Sequence, residues 1–99
     1  MIYVFHLRDH TGSAALRQRV RPEHKAYLAQ VAGQIAFAGP LLADDGVTMT
    51  GSLLAIDFPS RDAALQWLAD EPFTRAGLYA TSVVDAFQNL WPQRVGFPP

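Results

Sequence analysis

His24 stands where a side chain must be either satisfied or used. It shares with Tyr27, Leu28 and Val31 the i, i+3, i+4, i+7 spacing of one core-facing helical stripe. Histidine, with an ordinary pKa of ~6.5, exchanges protons near neutrality. A carboxylate bonded to one ring nitrogen would fix the tautomer and leave the other nitrogen for a substrate proton. Arg17 and Arg21, four residues apart at the entrance to the same helix, suit bidentate contact with a carboxylate or phenolate. Three later segments carry turn signals and can converge on the imidazole: Gly39-Pro40, Gly51-Ser52 and Glu71-Pro72-Phe73. Ser52 can offer a hydroxyl, while Gly39 and Pro40 would shape a pocket by close backbone approach. Each feature also has a plainer reading. The imidazole can be a packed group bonded to a carbonyl or carboxylate, the arginines solvated or ion-paired, and the serine hydroxyl turned into its own turn.

The other chemistry-bearing residues point elsewhere. His6 lies in a strand among apolar neighbours and reads as a packed or interface residue, and His10 lies in a polar loop. Neither makes a His-x-His or His-Glu-x-x-His spacing with a partner, so no metal site is expected. Trp67, Tyr79 and Trp91 can stack on an aromatic ligand or fill core and interface. The chain has no Gly-x-Ser-x-Gly elbow, phosphate loop or dinucleotide fingerprint, and no cofactor is expected.

These groups need elements to hold them. Residues 2 to 8 alternate and are rich in Ile, Val, Tyr and Phe, which predicts a strand. Ser13 predicts the cap of a short helical turn towards Arg19. Pro22 suits the first turn of a second helix, which Gly33 would end after Ala32. Ile35 to Leu42 predicts a strand that bends at Gly39-Pro40, an edge or bulge feature. Asp44-Asp45-Gly46 is a turn, and Met49 to Phe58 a third strand. Ser60 then caps a helix with Ala64, Leu65 and Leu68 inward and Trp67 beside them. Pro72 breaks that helix, a turn covers Thr74 to Leu78, and Thr81 to Trp91 predicts the fourth strand. The tail from Pro92 to Pro99 reads as an arm.

The resulting order, β-α-β-β-α-β, is that of an α+β ferredoxin-like domain with a four-stranded antiparallel sheet and both helices on one face. The 99 residues make one domain. Strand one alternates Tyr3, Phe5 and Leu7 with Ile2, Val4 and His6, so both sheet faces are apolar. Charged residues make up only 17% of the chain, against an average nearer ~25%. A second copy pressed against the open face, giving a homodimer, is therefore expected. A net charge of −1 with no basic run gives no case for nucleic acid. Without cysteine there is no disulfide, thiolate metal site or cysteine nucleophile. The chain carries no signal-peptide pattern and no apolar run of ~18 residues, so the expected setting is the cytoplasm, away from membranes.

Over nearly its whole length the chain resembles the YCII-related family of the dimeric α+β barrel superfamily. The resemblance is carried by Tyr3-Val4-Phe5, by Arg17 with Val20-Arg21-Pro22-Glu23-His24, and by Ala38-Gly39-Pro40-Leu41-Leu42. It continues through Gly51-Ser52-Leu53, Ala63-Ala64-Leu65-Gln66-Trp67, Pro72-Phe73 and Ala76-Gly77-Leu78-Tyr79. It implies a ferredoxin-like dimer with a small cavity in each subunit, and a histidine and an aspartate as acid/base pair. His24 matches the histidine. The aspartate position holds Glu71, with Asp70 one residue earlier, which leaves three readings: Glu71 substitutes, Asp70 serves after a small shift, or the pair is not functional. The expectation is a cofactor-independent acid/base enzyme, of elimination or isomerisation type, for a small anionic or phenolic substrate. The alternative is a non-catalytic module that binds a small molecule.

Overall fold

The computed structural model describes residues 1–91; the expected C-terminal arm, 92–99, lies outside them. The elements are β1 (Ile2–Asp9), α1 (Ala14–Ala29), β2 (Ile35–Leu42), β3 (Met49–Asp57), α2 (Arg61–Asp70), α3 (Pro72–Arg75) and β4 (Tyr79–Phe87), with a 3-10 turn at Ala32–Gln34 before β2. The sheet order is β2-β3-β1-β4, and all three pairings are antiparallel. This is the split β-α-β arrangement that the sequence order predicts.

Register sets the core. Phe5 lies opposite Leu54 on one side and Val84 on the other, and all three are buried. Tyr3, Ile56 and Phe58 extend that layer, and the helices cover it, α2 with Ala64, Trp67 and Leu68 and α1 with Tyr27 and Leu28. Trp67 meets the rings of Phe5 and Phe58 at centroid distances of 5.5 and 5.8 Å. Its carbonyl also accepts a hydrogen bond from the Tyr27 hydroxyl at 2.8 Å, tying α1 to α2.

Several expected boundaries and contacts differ. The short turn and the second helix are one helix, α1, with Pro22 inside it. Proline there forfeits the bond to the Gln18 carbonyl and costs about 3 kcal/mol in an unconstrained helix. Buried side-chain bonds at Arg17, before the proline, and at His24, after it, hold the two halves in line. Ser13 occupies the N-cap position, but its side chain makes no cap bond. The helix ends at Ala29 rather than Ala32, and β4 ends at Phe87 rather than Trp91. In α2, Ser60 does cap, accepting from Ala63 N at 3.1 Å, but the inner stripe is Ala64, Trp67 and Leu68, with Leu65 exposed. The larger indole surface takes the buried position.

Two backbone irregularities aim side chains at the middle of the sheet. Glu71 precedes a proline, which disfavours helical ψ; it adopts φ −67° and ψ 134°, so the chain corners between α2 and α3. A register shift between Arg8 and Asp9 pairs Arg8 with Thr81 but Asp9 with Tyr79. One residue is skipped, so Tyr79 joins the core face, although regular alternation from Val84 would send it to the other.

Candidate active site

The site forms where α1, the α2–α3 corner and the middle of the sheet meet. His24 and Glu71 are both buried, at 8% and 0% exposure. His24 Nδ1 and Glu71 Oε1 are hydrogen-bonded partners. The other oxygen of Glu71, Oε2, accepts from the Thr74 backbone N–H at 3.2 Å and so caps α3. The same carboxylate thus orients the imidazole and starts the next helix. Asp70 is exposed and accepts from Gln66 Nε2 at 3.0 Å; the structure does not bring it to His24.

The imidazole lies flat on Phe73, with ring centroids 4.0 Å apart and an interplanar angle of 17°. The Arg17 guanidinium packs over the same ring at 4.7 Å. Arg17 is buried and makes a fork to Asp9, with Nε to Oδ2 at 2.7 Å and Nη2 to Oδ1 at 3.0 Å. Its Nη2 also donates to Ser52 Oγ at 3.0 Å. The Tyr79 hydroxyl donates to the same oxygen at 3.2 Å. Burial, and after it the charge of Glu71, pushes the Tyr79 hydroxyl well above the ordinary tyrosine range, so it stays a neutral donor.

A cavity of about 190 Å³ opens beside this network, lined by Arg17, Arg21, His24, Lys25, Leu28, Ala38, Gly39, Pro40, Ser52 and Leu54. Among the described residues no protein group bonds His24 Nε2, and that atom is not sealed from solvent. The structure therefore gathers His24, Glu71, Arg17, Arg21, Ser52, Gly39 and Pro40 in one place. One expectation changes in detail. Arg17 is already neutralised by Asp9, a residue that the sequence alone places in the polar loop after β1. A Cβ on Gly39 would meet nothing within 4 Å, whereas one on Gly51 would collide with the Leu7 carbonyl oxygen. The tight backbone-to-backbone contact is at Gly51, next to Ser52, while Gly39 lines the cavity with open space where a Cβ would stand. His6 is half-buried on the opposite face of the sheet, between Leu53 and Val83, and His10 is exposed. Among the described residues no three His, Asp or Glu side chains cluster as metal ligands would.

An α+β fold of the dimeric α+β barrel type, with a histidine–carboxylate contact beside a small cavity, is the class that fold and site define. The chain belongs to the YCII-related domain family, which it matches over residues 1–88. It is 33% identical over 98 residues to protein YciI of Escherichia coli O6:H1, covering 92% of this chain and all of that one. An uncharacterised protein of Haemophilus influenzae is 32% identical over the same coverage. Among solved structures it resembles 5-chloro-2-hydroxyhydroquinone dehydrochlorinase (TftG) of Burkholderia phenoliruptrix AC1100, in complex with 2,5-dihydroxybenzoquinone. That match has a TM-score of 0.83 at 30% identity, covering 89% of this chain and 94% of that one.

Proposed function

We propose that the protein is a small-molecule enzyme that works by proton transfer at His24, on a compact anionic or phenolic substrate. The observation that carries this reading is the buried Nδ1 contact with Glu71 on one side of a ring whose other nitrogen is open beside a cavity. In this reading Glu71 holds the Nδ1 proton. Nε2 then takes a proton from a substrate carbon or hydroxyl, and the carboxylate stabilises the imidazolium that results. The electron pair released moves into the substrate, either expelling a leaving group from the adjacent carbon or shifting a double bond. Phe73 fixes the ring plane, and Asp9, Arg17, Ser52 and Tyr79 brace the wall behind it.

The likeness to a dehydrochlorinase solved with a dihydroxybenzoquinone supports the elimination class and a ring-sized ligand. We read the assembly as a homodimer through the open face of the sheet.

The test is exchange of solvent deuterium into ring positions of a panel of substituted hydroquinones and hydroxybenzoates, followed by proton NMR. The wild-type protein is expected to accelerate exchange in at least one member, and His24→Gln to lose that acceleration while remaining folded. Undiminished exchange in His24→Gln would remove the mechanism.

A further inference from the structure

The three cations around the cavity are not equivalent. Arg17 is committed, with its fork on Asp9 and a further bond to Ser52. Arg21 and Lys25 flank His24 in sequence, lie one helical turn apart, and line the same cavity. Among the described residues neither makes an ion pair with a carboxylate. The nearby acids are taken: Asp9 faces Arg17, and Glu71 faces His24. The cavity mouth is therefore positive although the chain as a whole carries −1.

The same two cations line an adjoining groove of about 330 Å³ with Gln18 and Pro22. The inner cavity is smaller than the about 300 to 1,000 Å³ of drug-sized ligand sites, which limits its occupant to roughly one substituted ring or a short chain.

We propose that Arg21 and Lys25 form an anion subsite, and that the substrate is a small carboxylic acid whose carboxylate they hold while its acidic proton faces His24 Nε2. The inference rests on the proton-transfer reading above and names its substrate class. Two cations beside the carboxylate would offset the repulsion that otherwise opposes a second negative charge as the proton leaves. Arg17 is then a positioning residue, since its charge is already balanced.

The experiment titrates the intact protein with benzoate and with its neutral isostere benzamide, reading the His24 ring resonances by NMR. Benzoate is expected to shift them saturably and benzamide not. The Arg21→Gln/Lys25→Gln double variant, with its backbone spectrum otherwise intact, is expected to weaken benzoate by about tenfold or more. Equal response to both probes, unchanged affinity in the double variant, or no benzoate response at high millimolar concentration would each overturn the subsite. The two readings fail separately. Loss of the proton-transfer reading leaves benzoate binding in place, and loss of the subsite leaves exchange and its dependence on His24 in place.

Discussion

Glu71 has two oxygens with two separate duties, and replacing it tests which acid serves His24. Glu71→Gln keeps an oxygen for the Thr74 N–H, so the α3 cap, worth about 1 kcal/mol, survives. It removes the charge that faces Nδ1, and turnover or exchange is expected to fall about a hundredfold or more. Asp70→Asn alters an exposed group bonded to Gln66, and is expected to change stability by less than about 0.5 kcal/mol and activity not at all. Equal losses in the two variants, measured side by side, would reject the assignment. At this scale His24 is legible because helical spacing puts it on the buried stripe. The choice of Glu71 over Asp70 is not, because it depends on the backbone corner before Pro72. Asp9 escapes notice because a carboxylate next to a loop reads as solvated unless its cation is known, and that cation lies eight residues on.

The elements place these groups through two irregularities that alternation and periodicity do not reveal. The skipped residue opposite Asp9 turns Tyr79 inward to Ser52. An uninterrupted α1 puts Arg17 and His24 on one face, two turns apart, where Phe73 meets both. The sequence suggests a break at Pro22 because proline's local cost is plain in the chain, while the distant bonds that offset it are not. Tyr79 also gives a pH dependence. Its folded-state pKa is raised above the unfolded value of about 10, so the folded state binds more protons once the unfolded hydroxyl ionises. Its contribution is complete below about pH 10 and is lost as pH rises further. Tyr27, raised also by burial, acts in the same direction. Denaturant melts across the alkaline range should therefore show stability falling from about pH 10 upward, and a shallower fall in Tyr79→Phe. An identical slope in the variant would contradict this reading of the hydroxyl.

For the molecule as a whole, the open face of the sheet is the outstanding surface. An apolar groove of about 490 Å³ runs across it, lined by Ile2, Phe37, Leu53, Ala55 and Phe87 among others, and Val83 and Phe87 are about half exposed. Strand alternation makes this face legible in the sequence, since no polar face remains to meet water. A second copy is the proposed cover. Sedimentation equilibrium is expected to give twice the chain mass for the wild type and the single mass for Leu53→Glu, which places a charge in that groove. A monomeric wild type would contradict the assembly while leaving the His24 site as described. No helix among the described residues is long and apolar enough to cross a membrane.

The proposed chemistry depends most on a protonated Nδ1 held by Glu71 and a bare Nε2 facing the cavity. Long-range proton–nitrogen correlation on labelled protein tests this directly. Neutral His24 is expected to be the Nδ1–H tautomer, with a far-downfield Nδ1 proton that disappears in Glu71→Gln and persists in Asp70→Asn. A neutral ring protonated at Nε2, or a downfield proton indifferent to the loss of Glu71, would contradict it.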